Sequence, residues 1–357
     1  MSRLRDGQTV YQDEQEASGG GADRPHASLR PRRGRLESIG IGRFSGVVVF
    51  VAMFALFALW VPDAFLTSTT WRTIADANAI TAILAISLLI PLSAGVYDLS
   101  IAQNTGFCAI VCGLLLTGES GFGVVPAILV TLVVGALIGA FNGYLTGFLG
   151  LDSFIATLGT LALLQGTASL VTNGEYVGPF PGSFTSITGH SILGLPIVAV
   201  YMIVLAVLVW YALEHTPAGR RCAATGANPD AARLAGIQTR RVIFTAMVIA
   251  GTGAAVAGVL LGSTLNSVNE NMGPQYLLPA FAAAFLGTTQ LKLGRFNVWG
   301  TVLAVYLLGT GVQGLQLAGA AVWVTNVFNG AALILAVLYA RALRQRRKRK
   351  EVEAAEA

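Results

Sequence analysis

The chain has 357 residues, of which 54% are hydrophobic and 11% are charged, and its mean hydropathy is +0.66. An ordinary soluble domain carries about 25% charged residues, so this composition excludes a soluble globular protein and places most of the chain in lipid. The net charge of +5 does not indicate a nucleic-acid partner, because the basic residues lie in tails and in loops between apolar segments.

Two polar segments flank the apolar part of the chain. Residues 1–45 contain a Gly-Gly-Gly run and several arginines, and they cannot bury enough apolar surface to fold alone. We predict a disordered cytoplasmic tail there, and not a cleaved signal peptide, because the first apolar run starts too late. Residues 342–357 are predicted to form a second cytoplasmic tail of mixed basic and acidic residues. The transmembrane domain then covers residues 46–341.

The apolar part divides into segments of the length that a bilayer requires, about 20 residues each. Ten such segments are predicted, and the eighth is the shortest. Their approximate bounds are 46–62, 73–92, 99–117, 123–146, 153–172, 193–213, 241–263, 276–291, 297–316 and 322–340.

The positions of the basic residues predict the orientation, because cytoplasmic loops retain Lys and Arg. With ten spans and a cytoplasmic N-terminus, all of the 23 basic residues except Arg72 fall on the cytoplasmic side, and so does the C-terminus. The predicted outer loops contain Asp63, Glu119, Glu175 and Glu270. The sorting supports the span count and predicts a multi-pass protein of the inner membrane, with some of the basic residues in contact with lipid.

A polar stretch at residues 93–103 interrupts the region between the second and third spans. Gly95 can end the second span, and Ser100 and Gln103 fit a capping box at the start of the third. Broken helix ends in transporters often line the substrate path, and Asp98, Ser100, Gln103 and Asn104 offer hydrogen-bonding groups there. The alternative is a plain turn between two helices, the second of which is capped.

Glycines at every fourth position mark the fourth span, at Gly135, Gly139, Gly143 and Gly147. This spacing places small residues on one helix face, so that another helix can approach closely. We interpret them as helix-packing residues. The longest outer loop, residues 173–192, either meets an external partner or only connects two spans.

The loop between the sixth and seventh spans, residues 214–240, contains a short predicted helix. Asn228 suits the N-cap, Pro229 the first helical position and Asp230 the positive end of the helix dipole. Gly236 suits the terminating position. A helix of about two turns is unstable alone in water, so it requires a packing partner, for which Leu234 and Arg233 offer an apolar contact and a charge. Either an ATPase binds there, or the helix lies at the lipid headgroups.

The sequence contains no phosphate-binding Gly-x-x-x-x-Gly-Lys-Ser/Thr loop and no His, Cys or carboxylate cluster with metal spacing. We therefore predict no metal site, no cofactor on this chain and no enzymatic activity of its own. Two alternative functions are disfavoured by the sequence. A secondary transporter that works alone is disfavoured because few ionisable groups lie within the spans. A membrane-embedded enzyme is disfavoured because no pair of such groups converges.

Four stretches in unbroken order resemble one known family. They are Gly95-Val-Tyr-Asp-Leu-Ser100; Asn142-Gly143 with Phe154-Ile-Ala-Thr-Leu-Gly-Thr160 and Asn173-Gly174; Gly226 to Ile237; and Gly287-Thr288 with Gly294-Arg295 and Gly300-Thr301. Together they resemble the ribose/xylose/arabinose-type permeases of ABC importers, over residues 45 to 340. Three features depart from the family pattern: the polar run Gln103-Asn104-Thr105, the extra bulky Tyr97 before Asp98 and the apolar run after Tyr276.

The resemblance implies an all-α membrane bundle of about ten helices in two inverted halves. It implies a pore made by two permease copies, an external solute-binding protein and a cytoplasmic ATPase with two nucleotide-binding halves, which holds the ATP and Mg²⁺. Residues 228–236 would be the helix that couples to that ATPase, and Thr157 and Thr160 would join the substrate path. The residues assigned to coupling are Gly226, Asn228, Pro229, Asp230, Ala231, Ala232, Arg233, Leu234 and Gly236. The function that follows is import of a sugar or a similar small polar solute.

Overall fold

In a computed structural model, residues 45–117, 122–192, 194–292, 294–321 and 323–355 are described. The predicted N-terminal tail lies outside these residues, apart from Ser45. The long helices are α1 (Ser45–Trp60), α3 (Ser68–Ser93), α4 (Ile101–Thr117), α5 (Val124–Gly143, followed by a π-helical turn at Tyr144–Phe148), α6 (Ser153–Thr172), α8 (Ile197–His215), α9 (Pro217–Ala227), α11 (Thr239–Leu265), α12 (Leu277–Gly287), α13 (Val298–Leu317) and α14 (Trp323–Ala355).

Short elements join these helices. They are α2 (Pro62–Phe65), α7 (Gly182–Thr185), α10 (Pro229–Leu234), a 3₁₀ turn at Pro274–Tyr276, and a hairpin of β1 (Ser191–Ile192) with β2 (Leu195–Pro196) in which Ser191 pairs with Pro196. The all-α prediction is confirmed. α14 continues past the predicted tenth span into the predicted C-terminal tail.

Six of the described helices are long and apolar enough to cross a membrane, and three shorter apolar helices lie at 46–60, 101–117 and 323–338. Each of the ten predicted spans corresponds to one helix. The prediction of a full eighth span at 276–291 is wrong, because α12 has only 11 residues. At 1.5 Å per residue it reaches about 16 Å, roughly half of a bilayer's hydrocarbon core.

α3 and α11 form the centre of the bundle. More than half of the residues of each are buried inside the bundle, and α11 packs against α3, α4 and α5. The interface of α5 with α11 is close because glycines line it. A Cβ on Gly135 would lie 2.7 Å from the carbonyl oxygen of Gly251, and one on Gly143 would lie 2.9 Å from the Cα of Phe244. The structure therefore places the predicted packing glycines against α11.

Gly139 provides a test of this contact. A Cβ there would overlap the carbonyl of Met247 and lie 3.0 Å from the Cα of Val248. We expect Gly139→Ala to destabilise the folded protein by about 1–3 kcal/mol, because overpacking two backbones forces them apart. The unfolding temperature in detergent measures this effect. Gly330→Ala in α14 is the matched control, since no other element lies within 4 Å of its Cβ position. The control should be neutral or stabilising, and an equal loss in both variants would contradict the prediction.

α4 and α12 are short because an irregular segment precedes each of them inside the bundle. The Asn104 Nδ2 in the first turn of α4 lies 3.5 Å from the carbonyl oxygen of Gly251, near the middle of α11. α4 therefore begins at mid-depth, after segment 94–100, in which Ala94, Asp98 and Ser100 are buried. α12 likewise follows segment 266–276, in which a Cβ on Gly273 would lie 2.6 Å from the carbonyl oxygen of Ala102. The two short helices meet at that depth.

Candidate functional site

The helix α10 has the predicted local structure. The Asn228 side chain accepts hydrogen bonds from the backbone N–H groups of Asp230 and Ala231, at 3.1 and 3.0 Å. At the other end, the N–H of Ile237 donates to Ala232 O and the N–H of Gly236 donates to Arg233 O. This pair of bonds is a Schellman motif, which requires the left-handed conformation found at Gly236, where φ is +82°. The predictions for both helix ends are confirmed.

α10 projects its side chains away from the bundle. Leu234 is 92% exposed, and only Ala232 in this helix is buried. Arg233 forms an ion pair with Asp230 at 3.3 Å and donates from Nε to Thr239 Oγ1 at 3.0 Å, which ties α10 to the start of α11. Caps at both ends hold this helix of six residues in place. Its exposed leucine is therefore a fixed apolar contact suited to a protein partner.

Gly226, at the end of α9, joins this region to the bundle. A Cβ on Gly226 would overlap the carbonyl oxygen of Ser93 and lie 2.9 Å from the nitrogen of Gly95. Gly95 itself has φ +83°, a conformation that side chains disfavour. The backbone of the segment before α10 thus lies directly on the backbone where α3 ends, with no side chain between them.

The segment 94–100 leads from that contact into a buried polar network. Ser100 donates from Oγ to Asp98 Oδ1 at 2.6 Å, and Asn142 Nδ2 donates to Ser100 Oγ at 2.7 Å. Thr160 Oγ1 donates to Asn142 Oδ1 at 2.7 Å. Each of the four residues is at most 4% exposed. The network connects segment 94–100 to α5 and α6.

Thr157 holds the same segment from α6. The N–H of Leu99 donates to Thr157 Oγ1 at 3.0 Å, and the N–H of Tyr97 donates to Ser153 Oγ at 3.1 Å. The predicted capping box of Ser100 with Gln103 is wrong. The Ser100 hydroxyl is engaged by Asp98 and Asn142, and Asp98 accepts the N–H of Ser100 at 3.0 Å, so an acidic side chain two residues upstream takes the capping role.

Gln103 and Asn104 lie apart from this network: Asn104 faces the carbonyl oxygens of Gly135 in α5 and Gly251 in α11, and Gln103 lies where α4 meets segment 266–276. Gln103 Nε2 donates to the carbonyl of Glu270 at 3.4 Å. Gln103 Oε1 is buried and has no hydrogen-bond partner among the described residues. An unpaired buried acceptor is costly unless another group satisfies it. Of the predicted path residues, Asp98, Ser100, Thr157 and Thr160 therefore come together, and Gln103 stands out as the one with free bonding capacity.

Comparisons with known proteins identify the family of this fold. Residues 72–337 match the family described as the permease component of the branched-chain amino acid transport system. The chain belongs to this permease family. The autoinducer 2 import system permease protein LsrD of Escherichia coli K12 is 35% identical over 262 residues, which are 72% of this chain and 79% of the relative. This chain is also similar to the LsrD protein of Shigella flexneri, with 35% identity over 72% of this chain and 79% of the relative. The LsrD protein of Yersinia enterocolitica is 34% identical over 72% of this chain and 78% of the relative. No solved structure gives a significant match.

The predicted resemblance to sugar-type ABC importer permeases is thereby confirmed at the level of the family. The chain is the membrane-spanning transport subunit of an importer for a sugar-like solute and is not itself the catalytic subunit. Membership also implies an ATPase and a binding protein as partners and a multi-pass location in the inner membrane.

Sequence reasoning missed three features of the permease. Asn142 lies at the centre of the polar network, although its adjacent glycine is the more conspicuous residue. α9 forms a helix of 11 residues where the sequence predicts a loop. Gly106 and Gly273 bring α4 into contact with segment 266–276, since a Cβ on Gly106 would lie 2.8 Å from the Cα of Gly273. A search for glycines in both short segments would have found the last pair.

Proposed function

We propose that the permease takes up a sugar or a similar small polar solute and that its ATPase docks on α10. The observation behind this proposal is the exposure of Leu234, which is 92%. A leucine at a helix end, with its backbone fixed by an Asn cap and a Schellman turn, is pre-organised for binding. The surrounding segment 214–240 is rich in arginine, as the cytoplasmic side of a membrane protein is.

Motion of α10 would reach the bundle through Gly226 and Gly95. Because their backbones touch, a displacement of α9 and α10 presses on the end of α3 and on segment 94–100. That segment is bonded to α6 through Thr157 and to α5 through Ser100. It is followed directly by α4, whose first turn contains Gln103. We propose this order of contacts as the route from the ATPase to the solute path.

The proposed solute path passes between α4 and α12. Two short helices, each preceded by an irregular segment at mid-depth, are typical of substrate sites in transporters with inverted repeats. α4 is the third and α12 the eighth of the ten predicted spans, so the two occupy equivalent places in halves of five. The free Oε1 of Gln103 lies at their junction and can accept a hydrogen bond from a solute hydroxyl.

Replacing Gln103 with leucine should reduce solute uptake without reducing the stability of the folded protein. The variant Gln103→Leu removes the free acceptor and one long hydrogen bond, so the unfolding temperature should stay level or rise. Uptake should fall about tenfold, because a solute hydroxyl loses its partner in the path. Initial uptake rates in vesicles and the unfolding temperature are the two measurements. Gln316→Leu, at an exposed glutamine of α13, is the control, and equal uptake by both variants would contradict the role of Gln103.

The docking proposal is tested by cross-linking. Cys108, Cys112 and Cys222 are all buried and should react slowly, so the thiol of the variant Leu234→Cys should be the main site of cross-linking. A short bifunctional cross-linker should join it to the ATPase in membranes that contain the assembled importer. The matched variant Leu195→Cys, in the hairpin at the opposite end, should give no such product. Cross-linking from Leu195 and not from Leu234 would reverse the proposed orientation and refute the docking site.

We also propose that two copies of the permease pair and that both termini are cytoplasmic. α6 supports pairing, because its exposed face contains Gly159 and Gly166, with no atom within 4 Å of either Cβ position. Small residues on a lipid-facing helix allow a second helix to approach closely. The loop 173–192 at the Glu270 end would then face the solute-binding protein.

A further inference from the structure

A lateral cavity of about 890 Å³ lies between α8, α9 and α11. Its walls are largely aliphatic and come from α8 and α11, among them Leu208 and Ile249, which are 61% and 53% exposed. One end of the cavity is bordered by Arg221 of α9 and Arg241 of α11. No Asp or Glu is among the described residues that line it. The cavity is therefore apolar along its length and cationic at one end.

The cavity is placed at the boundary between lipid tails and headgroups. α8 and α11 are both long and apolar enough to span a membrane, and the cavity lies where α8 ends and α11 begins. Arg241 and Ile249 are both on α11, and eight residues of helix separate them by about 12 Å. The arginines are thus at the level of the headgroups, and the apolar wall runs inward along the acyl chains.

The two arginines have no anionic partner in the described part of the chain. Arg233 has Asp230 and Lys292 has Glu214, but no ion pair or side-chain hydrogen bond is formed there by Arg221 or Arg241. Both residues are exposed at the cavity mouth. Two free guanidinium groups at one mouth suit a phosphate, which arginine binds through several N–H donors.

We infer that this cavity binds one anionic phospholipid, with its phosphate between Arg221 and Arg241 and an acyl chain along the α8 and α11 walls. Basic pockets between membrane helices on the cytoplasmic side are suited to anionic headgroups. A polar solute would gain little from the aliphatic walls. Ala235, Gly236 and Ile237 also line the cavity, so the lipid contacts the turn that ends α10. The lipid site itself does not depend on the docking proposal.

Native mass spectrometry of the full-length chain in detergent tests the inference. Dioleoyl phosphatidylglycerol and dioleoyl phosphatidylcholine are supplied together at equal concentration. The wild type should retain the anionic lipid in about tenfold preference. The variant Arg221→Gln/Arg241→Gln should lose the preference. Arg220→Gln, which removes the neighbouring exposed charge outside the cavity, should keep it. Thr245→Trp, at an exposed position of the wall, should displace the lipid while both arginines remain.

Four results would overturn the inference. The first is equal retention of the two lipids by the wild type, and the second is a loss of preference in Arg220→Gln as large as in the double variant. The third concerns the occupant: if Thr245→Trp abolishes a dimer peak and leaves lipid retention unchanged, a second copy and not a lipid fills the cavity. Inorganic phosphate at millimolar concentration should not displace the lipid, and full displacement would indicate a simple anion site.

Discussion

The variant Leu234→Asp is expected to abolish solute uptake while the amount of protein in the membrane stays unchanged. Leu234 is the most exposed large apolar side chain at the 214–240 end of the structure, and no other described residue packs over it. If the ATPase buries this side chain, a charge there is left desolvated and unpaired, which costs several kcal/mol. Central apolar contacts of an interface typically contribute 2 kcal/mol or more, so ATPase affinity should fall by about 30-fold or more.

Copurification of the ATPase with the permease measures this loss, with uptake assayed in the same cells. Leu234→Met is the conservative control, because methionine keeps the volume and apolar character of leucine and adapts its shape. The control should retain the ATPase and most of the uptake. If Leu234→Asp copurifies with as much ATPase as the wild type does, α10 is not part of the docking site.

The variant Gly226→Leu is expected to lose solute uptake while the ATPase stays bound, whereas Leu234→Asp is expected to lose both. Any side chain at Gly226 overlaps the end of α3, since a Cβ would lie 2.9 Å from the nitrogen of Gly95. The atoms in this contact belong to the backbones of both segments, so they cannot change rotamer to relieve the overlap, as a flexible side chain could. The contact opens by the width of a side chain, and segment 94–100 no longer follows the movement of α9 and α10. Overpacking of this kind costs about 1–3 kcal/mol, which the large bundle tolerates.

The measurements are ATPase copurification, ATP hydrolysis and uptake in reconstituted vesicles. We expect hydrolysis that no longer responds to solute and uptake reduced by about tenfold or more. Ala223→Leu is the matched control, because Ala223 lies on the same helix α9 and is exposed. Normal uptake by Gly226→Leu, or an equal loss in the control, would contradict a role for the Gly226–Gly95 contact.

Much of the fold could be predicted because lipid imposes it. Ten apolar segments, sorted by their flanking arginines, all correspond to helices. The eighth span is predicted to be the shortest, but the 11 residues of α12 could not be predicted, since nearly all residues of 276–291 are apolar or small. The late start of the helix has a tertiary cause: segment 266–276, which precedes α12, packs at mid-depth against α4 through glycines that allow the backbones to touch.

The candidate site also has local features that could be predicted from the sequence and long-range contacts that could not. The caps of α10 are local, and Asn228, Pro229 and Gly236 could be assigned from their intrinsic preferences. The capping box at Ser100 was also a local prediction, but it failed because Asn142 and Asp98 engage the same hydroxyl. Asn142 is 42 residues away in sequence. Contacts of that separation are not visible in local spacing, and this is also why the Gly226–Gly95 contact could not be predicted.

In the proposed mechanism, the permease moves only when a separate ATPase acts on α10. Uptake of labelled solute into proteoliposomes, with each component omitted in turn, tests this dependence most directly. We predict uptake only when the permease, the ATPase, ATP and the solute-binding protein are all present, and none when α10 contains Leu234→Asp. Solute flux through the permease alone, down a gradient and without nucleotide, would contradict the account.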